Sequence, residues 1–150
     1  GLIDLLAELL NDGIMTSKAK LAGDFHLTET IRLTQEDVYQ LITAKAGLRT
    51  DQDLLISYYG IELAEVDQLY LSGGFGNYID EDKAITIGLL PDVRGRVVKI
   101  GNAALAGAAE ILLSRRRRDE SELWAARIRH TKPNELEPEF VYMVADNMYF

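Results

Sequence analysis

Leucines at positions 2, 5, 6, 9 and 10 recur at helical spacing and run into Asn11-Asp12-Gly13, which predicts a short buried helix over residues 2–10 with a breaker behind it. From Ile14 to Leu33 the periodicity weakens, and only residues 25–27 and 31–33 carry short strand-like runs between polar connectors. Thr34 then stands where a helix N-cap belongs, with Asp37 three residues on in the capping-box position. Val38, Leu41, Ile42, Ala46, Leu48, Leu55 and Tyr59 keep apolar side chains near one drifting face until Gly60 closes the run. Such a helix is roughly 40 Å long, a scaffold element.

The second half alternates strand and helix. Residues 66–72, VDQLYLS, predict a strand that turns through Gly73-Gly74-Phe75-Gly76-Asn77. Asp80 caps a short helix with Ala84, Ile85 and Ile87 inward, and Gly88 and Pro91 stop it. Val97, Val98 and Ile100 form a second β-branched strand, followed at once by Gly101-Asn102 and a helix of small residues, AALAGAAEILLS. Further helices are predicted over 119–127, with Leu123 and Trp124, and over 136–148, with Phe140, Val141, Val144 and Met148; a short strand is predicted near 128–131. This order is that of an α/β layer fold. No internal repeat or low-complexity linker divides it, so residues 1–150 read as one domain or a large part of one.

Composition narrows the function classes. Apolar residues make up 47% of the chain, but no run approaches the roughly 20 residues that cross a bilayer. With 24 acidic and 16 basic residues the formal charge is −8, so a nucleic-acid backbone meets net repulsion unless the bases are gathered in one patch. The one such cluster is Arg115 to Arg118, placed after the small-residue helix where cations suit a C-terminal dipole. The chain has no cysteine, which excludes disulfides and any cysteine-held zinc or iron–sulfur cluster within it. His26 and His130 have no ligand-spaced partner. No signal-peptide pattern is present, and a cytoplasmic protein with no nucleic-acid or membrane partner is the expectation. The apolar helix begins directly after Gly1, which reads as a start inside a longer chain.

Two constellations carry candidate chemistry. The first is strand, SGGFGN, helix: glycines after a strand let the backbone turn sharply and lie against a flat or anionic ligand such as a nucleotide, although many such turns use glycine for steric reasons alone. The second is the helix opening GNAALAGAA, whose unpaired N–H groups and positive dipole end favour an anion near Gly101 and Asn102. Small residues at Ala103, Ala104, Gly107 and Ala108 equally suit tight helix-to-sheet packing; Gly107 costs about 1 kcal/mol against alanine and so implies a packing or ligand reason. Lys45 lies near the apolar stripe of the long helix, where it can reach a phosphate or snorkel to water. Asp4, Asp80 and Asp92 qualify for magnesium by residue type only.

The string LSGGFGNYIDEDKAITIGLLPD followed by IGNAALAGAAEILLS resembles the C-terminal domain of RACo-like proteins, the reductive activators of corrinoid-dependent methyltransferases. The resemblance extends over GLIDLLAELL, LTQEDVYQLITAKAGLRT and EFVYMVADNMYF, nearly the whole chain. It implies the C-terminal part of an actin-like (ASKHA, ribonuclease H-like) ATPase fold, with ATP and Mg2+ as cofactors and a 2Fe-2S ferredoxin region elsewhere in the parent protein. In such an activator, ATP hydrolysis drives an uphill electron transfer to a Co(II) corrinoid protein. By matching positions, Gly73, Gly74, Gly76 and Asn77 border the adenosine moiety, with Gly101 and Asn102 nearby. No catalytic residue follows from the resemblance, and the phosphate-binding aspartate of such ATPases lies outside these residues. The alternatives are a non-catalytic module for dimerisation or corrinoid-protein docking, and a small-molecule kinase of the same superfamily. The acidic balance suits docking to a basic partner patch. A homodimer is expected, because an incomplete sheet leaves an unpaired edge and uncovered apolar area.

Overall fold

The core forms where three helices meet. In the computed structural model, which describes residues 1–150, helix α1 (Leu2–Asn11) turns Ile3, Leu6, Ala7 and Leu9 inward. They pack with Val38 and Ile42 of α2 (Gln35–Tyr59) and with Ala84 and Ile85 from the helix at Glu81–Thr86. Ile87, Leu89 and Leu90, in the turn after that last helix, join the cluster, as do Met15, Ala19, Leu33 and Ile79. Between α1 and α2 the chain makes a small antiparallel ribbon, β1 (Phe25–His26) against β2 (Arg32–Leu33). The long helix starts as its sequence predicts: the Thr34 hydroxyl accepts from the Asp37 N–H at 3.2 Å, and the Asp37 carboxylate accepts from the Thr34 N–H at 2.8 Å. Gly60 ends it with φ +80°, a conformation that glycine adopts without a Cβ penalty.

Parallel strands cannot be joined by a tight hairpin and need a crossover. Here β3 (Leu69–Leu71) leads through α3 (Gly73–Tyr78) and α4 (Glu81–Thr86) to β4 (Val97–Lys99), which pairs parallel with β3 in the register Leu69 to Val97. Asp80 caps α4, its carboxylate accepting from the Lys83 N–H at 3.0 Å. Lys83 also reaches Glu8 of α1 at 2.8 Å, tying the crossover to the core. After β4, α5 (Ala103–Leu113) and α6 (Arg115–Ala125) fold against each other with only Ser114 between them. Helices α7 (Pro133–Leu136) and α8 (Phe140–Asp146) return to α2.

Several expectations are corrected. The glycine-rich segment is not an open turn but the short helix α3. No strand forms at 128–131, and the last helix splits into α7 and α8 around Glu137-Pro138, since a residue before proline is pushed out of the helical region. Helix α6 begins at Arg115, not 119, because Ser114 caps it through its hydroxyl, which accepts from the Arg117 N–H at 3.3 Å. The arginine cluster therefore occupies the first turn of α6 as well as following α5, and Arg118 donates to the Ile111 carbonyl at 3.0 Å in the last turn of α5. The small-residue helix α5 does not pack on a sheet here; none of its residues is buried, and a Cβ at Gly107 would meet nothing within 4 Å.

Candidate functional site

The carboxyl ends of β3 and β4 meet at one junction. The Ile100 N–H donates to the Leu71 carbonyl at 2.9 Å, and the Gly73 N–H donates to the Gly101 carbonyl at 2.7 Å. The Ser72 hydroxyl approaches the same carbonyl at 3.4 Å. This brings the SGGFGN segment and the start of α5 side by side at the carboxyl edge of the parallel pair, the edge where open α/β sheets in general collect ligands. Gly73 has φ +91° and Gly101 φ +63°, so both positions strain any residue with a Cβ.

The six expected residues divide by environment. A Cβ at Gly73, Gly74 or Gly101 would meet no atom within 4 Å, so these three leave a backbone surface bare of side chains. Gly76 is different: it is buried, and its Cβ would stand 3.4 Å from the Leu71 Cβ, so it serves packing of α3 on β3. Asn77 is exposed on α3. Asn102 is the N-cap of α5, its side-chain oxygen accepting from the Leu105 N–H at 3.0 Å, which uses the acceptor that would otherwise face a ligand.

An apolar groove of about 260 Å³ is lined by residues that include Leu2 of α1, Leu41 of α2, and Phe75, Tyr78 and Ile79 in and after α3. Phe75 is 71% exposed and Tyr78 89% exposed, two aromatic surfaces that border the same groove. Sequence reasoning passed over both. Their signal was the placement of two aromatics among the glycines of a single short helix.

Other candidates fall elsewhere. Lys45 neither reaches a phosphate site nor snorkels. It is 3% exposed, its ammonium donates to the Tyr149 carbonyl at 2.7 Å, and it sits 4.8 Å from the centre of the Phe150 ring. Burial without a carboxylate partner, helped by nearby Arg49, pushes its pKa down to about 8. Asp4 pairs with the Gly1 amino group, Asp80 caps α4, and Asp92 pairs with Arg94 at 2.7 Å, so the three aspartates do not converge. His26 and His130 are exposed.

The profile of one protein family, described as the C-terminal domain of RACo, the ASKHA domain, matches residues 1–150. This chain belongs to that RACo C-terminal family. It is 38% identical over 136 residues to the corrinoid activation enzyme RamQ of Eubacterium limosum, covering 89% of this chain and 22% of the relative. It is 31% identical over 121 residues to the [Co(II) methylated amine-specific corrinoid protein] reductase of Methanosarcina barkeri, covering 80% of this chain and 22% of that protein. Among solved structures, a reductive activator for corrinoid, iron-sulfur protein superposes with a TM-score of 0.86 at 28% identity, over 100% of this chain and 27% of that one. The RACo-type domain therefore has the expected α/β fold of the C-terminal part of an ASKHA ATPase. The chain spans about a fifth of the length of the curated relatives it matches.

Proposed function

We propose that this RACo-type domain supplies the adenosine-facing wall of a nucleotide site in an ATP-dependent activator that reduces Co(II) corrinoid proteins. The observation that carries the site is the junction of Gly73 and Gly101 at 2.7 Å, with bare backbone at Gly73, Gly74 and Gly101 around it. A planar base or a ribose can lie against such a surface because no side chain stands there. The names of the relatives support the redox role. ATP, when bound, would supply the free energy for the uphill electron transfer.

The residues present fit only one end of that ligand. No three His, Cys, Asp or Glu side chains converge among residues 1–150, so Mg2+ and the phosphates need donors from other parts of the parent protein. The sequence holds no cysteine, so a 2Fe-2S cluster would likewise be bound elsewhere in it. On this reading the parent acts in the cytoplasm on a corrinoid protein, and the chain by itself neither turns over ATP nor transfers electrons. A docking role is compatible with it, because the α5–α6 hairpin has no buried residue. Self-association of the domain through its uncovered apolar surface belongs to the same proposal.

Gly74 gives a clean test, since its φ lies outside the left-handed region and a Cβ there meets nothing. In the parent protein, Gly74→Leu should leave the ligand-free melting temperature unchanged. It should weaken ATP binding by more than about tenfold, equivalent to about 1.4 kcal/mol, with Co(II) reduction recovered at high ATP. Unchanged ATP affinity would remove the nucleotide site from this edge.

A further inference from the structure

Charge is strongly segregated along the chain. Residues 115–132 hold seven of the 16 Lys and Arg residues but only three of the 24 acids, so this stretch carries +4 and the remainder −12, totalling −8. Every residue of α6 is at least partly exposed. Some of the cations are neutralised at home: Arg116 and Arg117 bind Glu120, both at 3.1 Å, and Lys132 binds Glu135 at 2.8 Å. Arg115, Arg118, Arg127 and Arg129 make no ion pair with any carboxylate. The dipole of α6 does not explain this arrangement, because Arg115 to Arg118 stand in its first turn, where it disfavours each cation by about 0.3–1 kcal/mol; Arg118 has a structural use at the Ile111 carbonyl, whereas Arg115 has none.

Apolar side chains are interleaved with these charges. Leu123 is 69%, Trp124 64% and Ile128 75% exposed, and the Arg127 guanidinium lies 5.2 Å from the centre of the Trp124 ring. Arginine and tryptophan around exposed aliphatic positions are the composition of a protein-contact surface, in which the aromatic anchors and the charges select the partner. A nucleic-acid partner fits less well, since the other residues carry −12 and would repel its backbone.

We propose that α6 and the segment that follows it, through Lys132, dock an acidic protein surface, and that the partner is the corrinoid protein served by the activator. This rests on the proposed function above and adds the contact to it. It also reverses the expectation that the acidic balance of the chain would seek a basic partner, because the unpaired charge on this surface is positive.

The test uses the complete parent activator with its corrinoid protein and the triple variant Arg115→Glu, Arg127→Glu, Arg129→Glu, with the corresponding Gln variant as a milder pair. The expected result is a KM for the corrinoid protein raised by more than about tenfold in the Glu variant, less in the Gln variant, with kcat and melting temperature unchanged. Wild-type affinity should fall as salt is raised from 50 to 300 mM, and the Glu variant should lose that dependence. An unchanged KM with normal reduction overturns the docking surface while leaving the proposed function intact; a wild type that neither binds nor reduces corrinoid protein overturns both. The docking surface is also overturned if the variant loses several degrees of melting temperature, which puts α6 against its own chain, or if it alters the dimer mass instead of KM. Preferential binding of a 20-base-pair DNA by the wild type at physiological salt overturns it in the same way.

Discussion

At the scale of single residues, Lys45 shows how a side chain with an ordinary helical position acquires a structural role. Its ammonium is enclosed by the Tyr149 carbonyl, the Phe150 ring and Gly88, where a Cβ would come within 3.4 Å of the nitrogen. Desolvation lowers its pKa most and the like charge of Arg49 adds to it, while no carboxylate offsets either; the carbonyl and the ring are its only partners. The folded chain holds this proton less tightly, pKa about 8, than the reference amine at 10.5. Between those values the unfolded chain binds the extra proton, and stability contributed through Lys45 rises with pH. Urea midpoints of the 150-residue chain should therefore show a gain from pH 8 to 10 that Lys45→Met lacks. Parallel pH profiles for the two proteins would refute a desolvated ammonium. Nothing in the local sequence announces this contact, since the partner lies 104 residues away.

At the scale of elements, the helix termini were legible and the helix surfaces were not. Thr34 and Asp37 form a reciprocal cap whose bonds hold the Asp37 carboxyl below its usual range, chiefly through the Thr34 hydroxyl. Thr34→Ala should lower stability by about 1 kcal/mol, read as a reduced urea midpoint with an unchanged denaturant slope. Because the folded pKa of Asp37 is depressed, its contribution is present at neutral pH and is lost as pH falls through the acid range below its ordinary pKa of 3.8. A midpoint unaffected by Thr34→Ala at pH 7 would show that the cap is dispensable to α2. By contrast, the boundary between α5 and α6 was misplaced because Ser114 alone separates them, with neither Gly nor Pro to mark the break.

At the scale of the molecule, the accessible surface is larger than a closed fold of this mass requires. It measures 10410 Å² for 16.8 kDa, against about 7,700 Å² from the size scaling of compact monomers. The excess of about 2,700 Å² exceeds the roughly 800 Å² per partner of a standard interface, so a dimer would cover only part of it. Much of the bare area is apolar: Leu105 is 67%, Leu112 76% and Leu113 89% exposed on α5. The isolated chain should therefore sediment as a dimer at micromolar concentration, and Leu105→Glu with Leu112→Glu should return it to monomer. A monomeric wild type under those conditions would mean that the uncovered face of α5 does not drive self-association. A dimer that persists in the double variant would move the interface to another face.

Local chemistry in the sequence was enough to determine the ends of α1 and α2, the cap of α4, the strands around Leu69 and Val97, and the glycine that closes α2 at position 60. Each of these depends on residues within a turn or two, so the energies that decide them are visible in a short window. The family resemblance implied an adenosine-facing role for the glycines, which spacing alone left open between a steric turn and a ligand surface. Tertiary structure decided the rest. Parallel pairing of β3 with β4 placed Gly73 on Gly101, packing separated the buried Gly76 from the bare Gly74, and the return of α8 to α2 buried Lys45. An apolar pattern states that a face avoids water; which surface covers it depends on chain segments far apart in sequence, and α5, packed here against the neighbouring α6, has no buried residue.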